Sequence, residues 1–326
     1  MKKFLSIFIA ALIIVATLCA CGNDSNSSSK NQNSTSDSDG KISVVTTIFP
    51  PYDFARQVGG ENVELTMLLK PGTESHNYDP TPQDIIKIQN CDLFIYVGGE
   101  SDEWVRDILE SDNSKPKKII ALMDCVDTVQ EEIVEGMEDN DEDEGDDSHK
   151  IEYDEHVWTS PKNAILISKK ISSALIELDK DNEKSYEKNT TEYSQKLSLL
   201  DNKFQNIVDN AKRKTIIFGD RFPMRYFADE YGLKYYAAFP GCSSETEPSA
   251  ATVSFLIDKV KAEKIPVVFS IEFSNGKVAD TICEDTGAKK LTFHSCHNVT
   301  QEQFDSGITY IDLMNQNAEN IKEALS

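Results

Sequence analysis

The chain has 326 residues, enough for two ordinary domains and a sizeable core. Its 56 acidic side chains against 33 basic ones give a formal charge of −23, which argues against a general nucleic-acid binder, since that needs a basic face for phosphate. Apolar residues make up 39%, somewhat below the usual globular share, and the shortfall is concentrated in two polar stretches.

In chain order, Lys2 and Lys3 precede an apolar run over residues 4–18. A charged start followed by a run too short for a membrane span, which takes roughly 20 residues, reads as an export signal over residues 1–20. The run ends in Leu18-Cys19-Ala20-Cys21, a bacterial lipobox pattern. Cleavage before Cys21 would leave a diacylated cysteine, and two acyl chains hold a protein stably on a membrane. The expected location is therefore the outer face of the cytoplasmic membrane, anchored through lipidated Cys21. Residues 22–40 carry no large apolar side chain and read as a disordered tether. A folded region is expected from Lys41.

Short β-branched runs follow at residues 42–48, 63–69, 93–97 and 119–122. Helical patterns lie between them at 53–58, 82–90 and 103–109. The theme returns at 215–218, 233–237, 267–271 and 290–293, with a helical pattern at 250–263. Strands alternating with helices imply parallel sheets covered on both faces, so the fold class is α/β with two parallel-sheet lobes. Between them, residues 182–212 read as one long helix. Tyr186, Tyr193, Leu197, Leu200, Phe204 and Ile207 form a single apolar stripe on it. Such a rod can cross both lobes and limit hinge motion. The expected organisation is an N-terminal lobe over 41–180, a connecting helix over 181–212 and a C-terminal lobe over 213–326.

Residues 131–155 hold 14 acidic side chains and one basic one, Lys150. Charges this dense repel and stay solvated, so the stretch reads as a disordered loop inside the first lobe. It is either a solvated spacer or a weak, unselective collector of divalent cations.

Of the five histidines, His149 lies in that loop. His76, His156 and His294 each occupy a turn near the end of a strand or in a loop, where α/β folds place function. Imidazole is the commonest ligand for zinc-like metals, and three rings so placed point to a metal site. Cys91, Cys125, Cys242, Cys283 and Cys296 remain after Cys21 is set aside. Cys242 and Cys296, both in loops after second-lobe strands, are able to pair in an exported protein. Cys91 and Cys283 read as small packing residues.

Several stretches taken together resemble a known family. They are the run from His76 to Asp84 (His-x-Tyr-x-Pro-x-Pro-x-Asp), Gln89-Asn90-Cys91-Asp92-Leu93-Phe94 and Asp154-x-His156-x-Trp158-x-Ser160-Pro161-x-Asn163-Ala164. Glu247-Pro248-Ser249, Glu272 with Lys277, and Thr286-Gly287-Ala288-Lys289 complete the set. The chain from Lys41 to Ser326 resembles the metal-binding lipoproteins that serve ABC importers of zinc and manganese, in particular the zinc-uptake branch. The resemblance implies two α/β lobes joined by one long helix, with a metal site between lobes. It implies that His76 and His156 are ligands from the first lobe. It also implies a partner permease with its ATPase and a monomeric chain that carries Zn²⁺, with no nucleic acid involved.

The second lobe departs from the family pattern. The position of the third ligand, counted back from Tyr226-Phe227, holds Arg221, which is always protonated and offers no acceptor. The fourth position, counted from Gly287-Ala288-Lys289, falls on His294 where the family usually has Asp. His297, three residues on, is the first candidate for the vacancy, followed by Cys242, Cys296, Asp220, Glu272 and a water. A tight turn over His294-Ser295-Cys296-His297 would aim both rings inward. Glu272 is expected to pair with Arg221 or to orient an imidazole. Three imidazoles favour Zn²⁺ over Mn²⁺. The alternatives are a manganese-binding importer component, a zinc hydrolase, for which no His-Glu-x-x-His run exists, and a surface adhesin.

Overall fold

The computed structural model describes residues 40–74, 78–110, 115–137, 152–241 and 247–326. The expected export signal, the lipidation site Cys21 and the tether lie outside the described residues. So do His76, His149 and Cys242.

The first sheet is built from β1 (Ile42–Thr46), β2 (Val63–Met67), β3 (Leu93–Tyr96) and β4 (Lys118–Ala121), in the order β2-β1-β3-β4. The second is built from β5 (Thr215–Phe222), β6 (Lys234–Pro240), β7 (Val267–Ser270) and β8 (Lys289–Thr292), in the order β6-β5-β7-β8. Every pairing is parallel. The two sheets thus repeat one topology, and each reverses its winding beside its first strand. Ligand sites in such sheets lie beyond the C-terminal strand ends at that switch point.

Helices α1 (Phe49–Gly59), α2 (Pro82–Asn90) and α3 (Glu103–Glu110) belong to the first sheet, followed by α4 (Pro161–Leu178). The connecting helix α5 spans Glu183–Asp209. Helices α6 (Arg225–Tyr231), α7 (Ala250–Glu263), α8 (Lys277–Thr286), α9 (Gln301–Asp305) and α10 (Tyr310–Ala324) complete the chain. Starts are set by local chemistry. Thr81, Thr300 and Thr309 each form a reciprocal capping box with the residue three places on, and Ser160 caps α4 with Pro161 in its first turn.

Strand side chains alternate between two faces, and the alternation sorts the core. Val45 and Phe94 turn outward and pack with Ile88 of α2 and Val105 of α3. Ile217 and Val268 turn outward onto Leu256 of α7 and Ile282 of α8. Val44 and Ile95 of the first sheet and Phe218 and Phe269 of the second turn inward. They share one continuous cluster with Phe54 of α1, Ile167 of α4, Phe204 of α5 and Leu313 of α10. The inner faces of both sheets are therefore joined by apolar packing rather than by a hinge alone.

Helix α5 has 27 residues, about 40 Å of rod. Tyr186, Tyr193, Leu197, Leu200 and Phe204 are buried along one stripe, as the spacing predicts, and Ile207 is half-buried while Val208 is fully buried. Helix α10 returns from the second sheet to pack on α5 and α1. Its Tyr310 amide donates to Asp53 Oδ2 at 2.7 Å, and its ring meets Phe54 edge-on. Among the described residues no helix is long and apolar enough to cross a membrane.

The edges of the acidic stretch depart from the expectation of a solvated loop confined to the first lobe. Gln130 and Tyr153 form an antiparallel bridge that closes the base of the loop. Residues 131–137 then lie against the second sheet's elements. Glu132 pairs with Arg225 of α6, Glu135 with Lys259 of α7, and Met137 is buried. Charge alone would have kept these residues in water, but basic partners and an apolar seat are supplied by the other half of the chain. Residues 138–151 lie outside the described residues.

A shared core predicts cooperative loss of both halves. Phe204→Ala removes a fully buried ring that meets Phe227 of α6 edge-on at 4.8 Å, and should cost about 3–5 kcal/mol. Leu199→Ala, on the exposed side of the same helix, should cost no more than about 0.5 kcal/mol. Urea unfolding followed by tryptophan fluorescence and by far-UV circular dichroism should give coincident transitions for both variants.

Candidate metal centre

His156 enters the structure in a short connection between the acidic stretch and α4. Asp154 sits two residues earlier and shapes it: one oxygen, Oδ1, accepts both the His156 amide at 2.8 Å and the ring Nδ1 at 3.0 Å. The carbonyl of His156 accepts from Thr159 Oγ1 at 2.9 Å across a 3₁₀ turn, Val157–Thr159. Ser160 then caps α4, so the ring is carried on a segment fixed at both ends. His156 and Asp154 are both fully buried. Burial opposes the imidazolium, but the carboxylate of Asp154 outweighs it and raises the pKa of His156 above its ordinary value. A carboxylate accepting from Nδ1 places the lone pair of the neutral ring on Nε2.

From the other half of the chain, the turn after β8 brings His297 to this ring. The two ring centroids lie 4.7 Å apart at right angles, and His297 also meets Trp158 edge-on at 4.8 Å. Trp158 Nε1 donates to the Ser295 carbonyl at 2.8 Å, and the Phe49 amide donates to the His297 carbonyl at 3.1 Å. The loop after β6 closes a third side: a Cβ on Gly241 would lie 3.1 Å from His156 Cε1 and 3.0 Å from the Phe222 carbonyl oxygen, so glycine permits the close approach.

The two rings of the turn over residues 294–297 meet different neighbours. Cys296 has φ +66°, a left-handed conformation uncommon outside glycine. Around it, His297 faces His156 and Trp158. His294 Nδ1 instead accepts the Cys296 amide at 2.9 Å and lies 3.3 Å from Glu272 Oε1, while Asn317 bonds the His294 amide and carbonyl. The structure therefore brings together His156 and His297, and seats His294 against Glu272 and α10.

The other candidates are engaged elsewhere. Arg221, at the end of β5, is buried and pairs with Glu74 at 2.9 Å. That carboxylate partner comes from the loop after β2, and of the two roles expected for Glu272, pairing with Arg221 or orienting an imidazole, the second fits its place beside His294. Glu272 accepts the Ser295 amide at 2.6 Å and the Ser295 hydroxyl at 2.5 Å. Burial works against its ionisation, but His294 and the Ser295 donors outweigh burial and hold its pKa below the usual carboxylate range. Asp220 accepts from the amides of Arg221 and Ile271, which ties the irregular end of β5 to β7. The Cys296 thiol is free, belongs to the apolar core and is pushed well above its ordinary pKa by burial, so a thiolate ligand is disfavoured; its expected partner Cys242 lies outside the described residues. Among the described residues, no three His, Cys, Asp or Glu side chains converge on one point.

A cleft that His297 shares is lined by Thr73, Glu74, Gly241, Glu272 and Ser295, all beyond the C-terminal ends of strands. Asp154, Ser295 and Glu74 were given no role by the sequence. Asp154 stands two places before a histidine and Ser295 lies between two, which is the signal that marks them. Glu74 has no comparable mark, since its partner lies 147 residues away.

Residues 44–324 match the family described as zinc-uptake complex component A, periplasmic (ZnuA). The chain belongs to the ZnuA family. It is 33% identical to the high-affinity zinc uptake system protein ZnuA of Bacillus subtilis, over 99% of this chain and 98% of that protein. It is also 33% identical to the zinc-binding lipoprotein AdcA of Streptococcus pneumoniae, over 87% of this chain and 56% of that one. The chain thus spans little more than half the length of the AdcA proteins it matches. Among solved structures, the Zn(II)-bound ZnuA-like domain of Streptococcus pneumoniae AdcA is 30% identical and superimposes with a TM-score of 0.71, covering 88% of this chain and 99% of that domain. The ZnuA fold of two parallel sheets with a long connecting helix is the one described above.

On the first-sheet side of the cleft, Asp102 is buried, and accepts the Val97 amide at 2.6 Å. Burial raises its pKa, the backbone donors offset part of that and Glu155 adds to it, so that the carboxyl is pushed up to about 7. A carboxyl whose folded pKa exceeds its unfolded value stabilises the fold below the unfolded pKa, near 4, and that contribution is lost as pH rises through about 7. Wild type should therefore gain stability relative to Asp102→Asn as pH falls from 8 to 5. Urea unfolding of both proteins at several pH values checks this; a pH-independent difference would contradict it.

Proposed function

We propose that this chain captures extracytoplasmic Zn²⁺ and delivers it to an ABC-type importer permease with its ATPase, as a binding protein and not an enzyme. The observation that carries this reading is the edge-to-face apposition of His156 and His297, which come from different halves of the chain, each with Nδ1 turned to an oxygen of its own half. Two imidazoles presenting Nε2 are zinc donors, and neither is the oxygen ligand that manganese favours. His76, two residues beyond the cleft residue Glu74, is the proposed third ligand on the strength of its motif. His297 fills the place vacated by Arg221, and His294 is proposed to support the site and not to bind the metal directly. The relatives named zinc-binding and zinc-uptake proteins add weight to zinc as the cargo.

The proposed functional units are a first lobe over 41–180, the helix over 181–212 and a second lobe over 213–326. Release at the permease needs the lobes to shift, and a core shared between them keeps that shift small. We propose that the protein acts as a monomer held to the outer face of the cytoplasmic membrane through lipidated Cys21.

The test is competitive titration of metal-stripped protein with Zn²⁺ and Mn²⁺. Wild type should bind one Zn²⁺ in preference to Mn²⁺. His156→Ala, His297→Ala and His76→Ala should each weaken zinc by about 100-fold or more, whereas His294→Ala should weaken it by about 10-fold or less, as for a group one step removed from the metal. Preferential manganese binding, or loss confined to His294→Ala, would overturn the assignment.

A further inference from the structure

Glu272 and Ser295 line the cleft beside His297. Ser295 is buried and the Glu272 side chain is 9% exposed. A serine hydroxyl has one proton to give and two lone pairs with which to accept. Ser295 Oγ lies 2.5 Å from Glu272 Oε1, 3.1 Å from His297 Nδ1 and 3.3 Å from the His297 amide nitrogen. The amide is a donor only. Glu272 is ionised and an acceptor only, and it also accepts the Ser295 amide at 2.6 Å through Oε2.

The single Ser295 proton therefore has two possible destinations, Glu272 or His297. Charge-assisted bonds are roughly twice as strong as neutral ones, so the proton goes to the carboxylate. With its proton committed, Ser295 Oγ faces Nδ1 as an acceptor. A lone pair on Nδ1 would then oppose another lone pair at 3.1 Å in a buried site, which costs the full penalty of an unmade bond. Nδ1 must carry the ring proton.

We propose that Glu272, acting through the Ser295 hydroxyl, is a positioning residue that holds His297 in the tautomer with its proton on Nδ1 and its lone pair on Nε2. This rests on the reading of His297 as a zinc ligand. The device matches the one at His156, where Asp154 bonds Nδ1 directly, but here a hydroxyl is interposed. Both rings are thereby set in the same tautomer before metal arrives, from two different halves of the chain. A ring left to choose would bind zinc only from the fraction of molecules in the correct form.

The test reads the tautomer without metal. Long-range proton–nitrogen NMR correlation on metal-free protein with ¹⁵N-labelled histidine, at a pH where the ring is neutral, should show a protonated Nδ1 and an unprotonated Nε2 at His297. Ser295→Ala and Glu272→Gln should shift the ring toward the opposite tautomer and weaken Zn²⁺ by about 10–100-fold, while Ser295→Thr, which keeps the hydroxyl, should retain both wild-type properties. A wild-type His297 protonated on Nε2 overturns the proposal without use of any variant. So does a Ser295→Ala protein that folds and keeps the wild-type tautomer. If His297→Ala keeps wild-type zinc affinity, the ligand reading itself fails and the role proposed for Glu272 falls with it. The tautomer spectra then show whether the relay exists.

Discussion

Trp158 is the piece on which the geometry of the cleft depends. Its carbonyl accepts the Tyr310 hydroxyl at 2.7 Å and its indole donates to the Ser295 carbonyl at 2.8 Å. One residue is thus pinned to the start of α10 and to the turn after β8. It is two places from His156 in the chain, and its ring supports His297 directly. Buried polar groups that are fully paired rigidify what surrounds them, because every displacement exposes an unmade bond. Residues on either side of the cleft are consequently held relative to each other and not merely to their own sheet.

The same restraint recurs around the cleft. The Tyr226 hydroxyl of α6 donates to the Asp154 carbonyl at 2.7 Å, and Asn298 Nδ2 donates to the carbonyls of Lys70 and Thr73. With the inner faces of both sheets in one apolar cluster, opening the cleft as a free hinge would break buried bonds and expose core together. Motion of the loops at the strand ends is far less costly, since loops carry few core contacts. A protein built this way favours cargo release by local rearrangement over wide domain opening.

Much of this was legible from spacing. The stripe on α5, the eight strand positions and the helical patterns of α2 and α7 followed from hydrophobic period. Helices α4 and α10 were not marked out, because their buried faces mix Ser168, Ser172 and Asn317 with apolar residues and blur the stripe. The direction of the rings at 294–297 was not legible either. It turns on a left-handed Cys296, and no sequence rule places a cysteine there. The partner of Arg221 was hidden for a different reason. Ion pairs between strand ends depend on how two loops meet, and neither loop encodes the other. Docking of residues 131–137 on α6 and α7 was missed because local charge density says nothing of distant basic partners.

With His76, His156 and His297 as the proposed ligands, the arrangement also accounts for how a site without a carboxylate ligand would suit a dication. Arg221 stands where its relatives' pattern would put a metal donor, and a lone cation there would repel the cargo. Glu74 cancels it within the cleft. Neutral imidazoles contribute no charge, so the balance must come from behind them. Asp154 lies on His156 and Glu272 lies one hydroxyl behind His297, which brings two negative charges close to the site while keeping both carboxylates off the metal. Buried carboxylates bonded to donors are poorly placed to swing inward as ligands, so oxygen-seeking ions gain little from them. Charge is supplied by oxygen and coordination by nitrogen, and that division favours zinc over a harder divalent ion.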